Sequence, residues 1–93
     1  MSNSKKFYFK DNMVFVAPSN KKNKKYDVYD NQLNYITSFG AYGMPQYMDV
    51  IGHYSDLDHL NEDRKYSYYQ RHKHDKNIYP YPSWFSNRYL WPN

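Results

Sequence analysis

Any core that this chain builds has to be built from rings. Thirteen tyrosines, five phenylalanines and two tryptophans stand against eleven Val, Ile and Leu residues. A buried Tyr or Trp carries a polar atom that needs a partner, so a ring core brings a hydrogen-bond network with it. The same feature separates the chain from a disordered one. A mean hydropathy of −1.15 and a net charge of +4 point toward disorder, but disordered segments are poor in aromatic residues. The sequence therefore predicts a folded chain, and 93 residues suit a single small domain, 1–93.

With no cysteine, disulfide staples and thiolate zinc sites are excluded. No apolar run approaches the roughly 18 residues of a membrane span, and residues 1–11 lack the apolar stretch of a signal peptide. The expectation is a soluble intracellular protein with no membrane partner. The basic balance favours an acidic partner such as nucleic acid, though many ordinary proteins carry as much charge.

Residues 7–10 and 13–16, rich in aromatic and β-branched side chains, predict a hairpin around Asp11-Asn12 within an N-terminal unit 1–18. Pro18 ends its second arm, because proline cannot donate to a sheet ladder. A Lys-rich loop, 19–25, follows. Residues 26–29 and 33–39 predict a second hairpin around Asp30-Asn31-Gln32, with Leu33, Tyr35, Thr37 and Phe39 on one face at period two. Gly40, Gly43 and Pro45 mark a shaped loop, and 46–51 reads as a short helical turn. Asn61 is a good N-cap, Glu62 and Asp63 occupy the first turn, and Arg71 lies near the end. A helix over about 62–73 follows. Lys65, Tyr68, Tyr69 and His72 share one of its faces, and Arg64, Ser67 and Arg71 share another. Residues 79–82, Tyr-Pro-Tyr-Pro, should be extended. Trp84, Phe85, Tyr89, Leu90 and Trp91 are too apolar to leave in water. The fold class is α+β: a small antiparallel sheet of three to four strands, one main helix packed on it, and an aromatic C-terminal segment completing the core.

The runs KKYDVY, YITSFGAYGMPQY, SDLDHLNEDRKYSYYQRH and WFSNRYLW together carry a likeness. The pattern resembles a family of small uncharacterised basic, Tyr-rich proteins of giant and other nucleocytoplasmic large DNA viruses. Its elements fall on Lys25, Tyr26 and Val28; on Phe39 and Gly40; on Tyr47, His59, Arg64 and Lys65; on Tyr69, Arg71 and His72; and on Trp84, Ser86, Leu90 and Trp91. The family-like core is 26–93. The chain departs from the pattern at Tyr-Pro-Tyr-Pro and in residues 53–57, which are an insertion. The resemblance implies a viral protein of the virion or the host-cell cytoplasm and a shared fold, with no activity attached.

Four chemistries compete for the charged stretch 58–75. His53, His59, His72 and His74 with Asp56, Asp58 and Asp63 could supply metal ligands, but no tight metal-site spacing is present. A ββα-metal nuclease would use His59 to activate water, Asn61 to orient it and His72 to hold the ion; its first histidine belongs on a strand, and here it abuts the helix. The structural reading packs His59 and His72 with Tyr69, Trp84 and Trp91 as a polar and aromatic core, with Arg64 and Arg71 in ring or bidentate contacts. The nucleic-acid reading uses Lys21, Lys22, Lys24, Lys25, Arg64, Lys65, Arg71 and Lys73, with Lys5 and Lys6, as phosphate contacts beside stacking rings. The sequence favours a non-enzymatic protein that acts by binding, with no cofactor and no metal, as a virion structural or genome-associated component. A capsid-type protein-interaction module without nucleic acid is the alternative, and the nuclease comes third.

Overall fold

A computed structural model describes residues 9–11 and 14–92, with side chains from residue 14 onward. Four antiparallel strands in sequential order form one sheet: β1 (Phe9–Asp11), β2 (Val14–Pro18), β3 (Lys24–Asp30) and β4 (Tyr35–Ala41). A 3-10 turn (Ser55–Leu57) and two helices, α1 (Glu62–Arg71) and α2 (Pro82–Tyr89), complete the α+β arrangement that the sequence predicts. The first hairpin pairs Phe9 with Val16 and Asp11 with Val14; its expected turn residue Asn12 and the outer positions 7 and 8 lie outside the described residues.

The register sets Val16 beside Val28, and Pro18 and Phe39 on either side of Tyr26. Side chains alternate across a strand, so Tyr26 and Val28 point the same way, into the core with Val14, Val16, Phe39, Phe85, Tyr89 and Leu90. Phe39 is its hub, with ring centroids 5.4 Å from Tyr26, 5.8 Å from Phe85 and 5.9 Å from Tyr89. The ring-built interior is thus observed.

The helix on the sheet is α2, which lies against β4; among the described residues α1 approaches no strand closely. The expectation that the first helix packs on the sheet is corrected here, and the cause is apolar content. α2 places Phe85 and Tyr89 inward at i,i+4, whereas α1 buries only Tyr68. Pro82 opens α2 at its first turn, where a missing N–H costs nothing.

The predicted period in 33–39 also breaks. Leu33 sits in the turn at φ 66° and is 54 % exposed, and a register irregularity falls at Val28/Tyr29. A bulge changes which residues face inward: Ile36 packs on the core, while the Tyr35 hydroxyl meets Ser38 Oγ at 2.8 Å. Asp30 shapes this turn by accepting from the amides of Gln32 and Asn34, each at 2.9 Å.

Residues 46–51 form no helix. Their amides donate elsewhere: Gln46 to Leu57 O, Met48 to Leu90 O and Val50 to Tyr89 O. Within 79–82, Tyr81 is extended before Pro82 as expected, at φ −75° and ψ 152°, while Pro82 already belongs to α2 and the run as a whole is bent. Tyr81 N–H donates to Ile78 O at 2.8 Å across a turn whose Tyr79–Pro80 peptide is cis.

Candidate functional site

α1 starts where the sequence places it. The Asn61 side chain accepts from Arg64 N–H at 3.0 Å, and the helix ends at Arg71 with His72 as its C-cap, so Lys73 lies beyond it. Helical spacing then divides its side chains as predicted: Tyr68 is buried and Lys65, Tyr69 and His72 are half-buried, while Arg64, Ser67 and Arg71 are exposed.

The inward face holds a ladder of rings. Tyr68 stacks on Trp91 at 4.2 Å, His72 lies 4.4 Å from Tyr68, His59 lies 5.3 Å from Trp91 and Tyr47 lies 6.2 Å from His59. The Tyr69 hydroxyl donates to the Trp91 carbonyl, and the Tyr47 hydroxyl to Glu62. His72 Nδ1 meets Asp75 Oδ2 at 2.6 Å, and this bond holds the Asp75 carboxyl below its ordinary range. His59 Nδ1 accepts from Asn61 N–H at 2.9 Å, so the proton of the neutral ring is on Nε2, which among the described residues has no hydrogen-bond partner. Burial first and the Arg64 charge second lower the His59 pKa. Trp84 stands apart from the ladder, 5.0 Å from Phe85 and under the Arg88 guanidinium at 5.2 Å.

A second network is buried beneath the loop, and sequence reasoning missed it. Lys25 is 1 % exposed. Its ammonium donates to Met44 O at 2.6 Å and to Gln46 Oε1. Gln46 Nε2 in turn donates to Asp58 Oδ1 at 2.6 Å and to Tyr54 O at 2.9 Å. Asp49 accepts from the Tyr26 hydroxyl at 2.5 Å and from the amides of Ile51, Gly52 and Tyr54. Burial lowers the Lys25 pKa to about 8 against the opposing pull of Asp49 and Asp58. Burial, then the bond to Asp49, raises the Tyr26 phenol far above its ordinary value. Lysine is rarely buried unless paired, which is why a lysine in a Lys-rich run reads as surface.

Lys25 therefore cannot be the phosphate contact the sequence suggests. Two further predicted cations are engaged in the structure. Lys65 is covered to 14 % side-chain exposure, 4.2 Å over the Tyr47 ring and 3.4 Å from Glu62. Lys21 lies 4.2 Å over the Tyr35 ring and 3.6 Å from the buried Asp27. Lys22, Lys24 and Lys73 are exposed. Arg64 and Arg71 make no core contact of the kind expected; among the described residues neither guanidinium has an ion-pair or hydrogen-bond partner.

Those two arginines line a groove. With Ser67 between them they form one wall, about 10 Å long for seven residues of helix rise; Met44, Pro45 and Trp91 form the rest, with Asn61 and Asp63 at one end, enclosing about 410 Å³. A second cleft of about 360 Å³ adjoins it, sharing Met44, Pro45, Arg71 and Trp91 and adding Lys24, Phe39, His72, Ser83, Ser86 and Leu90. Among the described residues no three His, Asp or Glu side chains converge where they could hold a metal ion, and no helix is long and apolar enough to cross a membrane. No family model, curated protein or solved structure matches the chain.

Proposed function

We propose that the protein is a non-enzymatic binding module whose α1 groove engages the phosphate backbone of a nucleic acid, as a genome-associated or virion component of the kind its sequence resemblance implies. The observation that supports this reading is the pair Arg64 and Arg71. Both project from one face of α1 into a groove without a carboxylate partner among the described residues, while Lys21, Lys25 and Lys65 are engaged within the fold. A guanidinium presents a planar fork that matches phosphate oxygens and remains charged at all physiological pH. The roughly 10 Å wall spans about three phosphates of a strand rising ~3.4 Å per nucleotide. Lys24, on the adjoining cleft, extends the same positive track.

The test is fluorescence anisotropy with labelled nucleic acid across a salt series, with and without magnesium or manganese. Backbone binding through Lys24, Arg64 and Arg71 gives a log–log salt slope of about −2 to −3 and no cleavage. Absence of binding at low salt would retire the reading in favour of a protein partner. Metal-dependent cleavage would replace it with the nuclease.

A further inference from the structure

Next to the arginine groove lies a cleft of different character. Its apolar lining is Met44, Pro45 and the partly buried Trp91 over a floor of buried Phe39 and Leu90. Its rim carries Ser83, Ser86 and His72, with the Asp75 carboxylate held by His72 and Ser83. The two cavities meet at Arg71 and Trp91, which belong to both. A site with an apolar floor, the Trp91 ring on one side, a polar rim and a guanidinium beside it matches one nucleotide unit, with the base inside and its phosphate on the arginine. Its volume, about 360 Å³, lies within the range of small-ligand pockets.

We infer that this cleft receives an unpaired base, so that the ligand of the groove is single-stranded nucleic acid and not a duplex. The inference rests on the reading of Arg64 and Arg71 as phosphate contacts. A paired base is held in its stack and enters a concave cleft only if it is flipped out, at a cost of a few kcal/mol. A single strand presents its bases without that cost. Phosphates along α1 and a base beyond Arg71 are then bound at once, and the direction of the strand is fixed by the order of the two cavities.

The experiment compares a labelled single-stranded octanucleotide with the same sequence as a duplex, for the full chain and for Ser83→Leu, which fills the cleft without touching Arg64 or Arg71. The expected result is single-strand affinity about tenfold above duplex affinity, the low end of what one base stacked against aromatic side chains contributes. Ser83→Leu removes that advantage and leaves duplex binding unchanged. Equal affinities for both ligands, unaltered in Ser83→Leu, would overturn the base-binding cleft while leaving the phosphate groove standing. Loss of all binding to both ligands would overturn the groove and the cleft together. Adenosine monophosphate is the third probe: if it binds as tightly as the octanucleotide, the cleft is a site for free nucleotides and the single-strand assignment fails. Should Ser83→Leu not fold, the Leu90 methyl resonances of the unaltered protein, which belong to the cleft and not to the groove, decide the matter. They shift with the octanucleotide and not with the duplex if the base enters; the reverse overturns the inference.

Discussion

Tyr68 and Trp91 lie face to face, with ring planes 5° apart and centroids separated by 4.2 Å. That contact joins α1 to the segment after α2, across 23 residues of chain, with His72 against Tyr68 on one side and His59 against Trp91 on the other.

Trp91→Ala should therefore destabilise the fold by about 3 kcal/mol, near the low end for removal of a core tryptophan, because Trp91 is only partly buried. Trp84→Ala should cost less, since Trp84 packs against the exposed Tyr79 and the Arg88 side chain as well as against Phe85. Urea melts of the two variants check the order; equal losses would remove the ladder from its central place.

Gly40→Ala should destabilise strongly, by about 2 kcal/mol or more. Gly40 has φ +81°, and a Cβ there would lie 2.9 Å from Leu90 Cδ1 and 3.0 Å from Lys25 Cβ. Gly43→Ala is the control, because its φ of +83° carries the same backbone strain with nothing within 4 Å of the added carbon. The difference between their melting temperatures isolates the steric part.

Stability should rise with pH on the alkaline side and then fall. The Lys25 ammonium has a folded pKa of about 8 against an ordinary 10.5, so above pH 8 the unfolded chain holds more protons than the folded one. Stability then grows with pH, by an amount on the order of 3 kcal/mol over the whole window from about 8 to 10.5. Tyr26, Tyr68 and Tyr69 act in the opposite sense. Burial raises their pKa values above the ordinary 10.0, so the stability they contribute is present below pH 10 and is lost above it. A maximum in melting temperature at about pH 9–10 is expected. Lys25→Met should abolish the rise and keep the fall. A monotonic decline from pH 7 in the unaltered protein would contradict the buried ammonium.

Arg64→Gln and Arg71→Gln should leave the melting temperature nearly unchanged, within about 0.5 kcal/mol, as expected of exposed side chains without partners. Each should weaken nucleic-acid binding and make the salt slope shallower by about 0.7–0.9. Lys65→Gln separates structure from binding in the other direction. It removes a cation that covers Tyr47 and donates to Pro92 O at 3.3 Å, so it should lower stability more than affinity.

What the sequence reveals of this fold follows from how local each signal is. Asn61, Glu62 and Asp63 mark the start of α1, because caps and dipole charges act within one turn. The separation of Tyr68 from Arg64 and Arg71 is legible too, since helical spacing alone decides it. The hairpin at Asp30 can be read because its carboxylate bonds to amides two and four residues on. The inward turn of Ile36 was hidden, since a bulge leaves no mark in the alternation until the partner strand is known. Lys25 misled for the same reason: its partners, Met44 O and Gln46, are 19 and 21 residues away, and nothing within the Lys-rich run 19–25 distinguishes it from Lys22 or Lys24. The groove combines both cases. Its arginine wall was readable, but the apposition of Pro45 and Trp91 to that wall was not.

The bonds from Met48 N–H to Leu90 O and from Val50 N–H to Tyr89 O, with the contacts of Phe85 and Tyr89 on Phe39, set a timetable for biosynthesis. β4 ends at residue 41 and the rings that cover it begin at Trp84. At ~5–20 residues per second a ribosome takes several seconds to cross that interval. Until those rings have been made, the face of the sheet that carries Phe39 lacks its cover, so the sheet cannot close its core before residues 84–91 arrive.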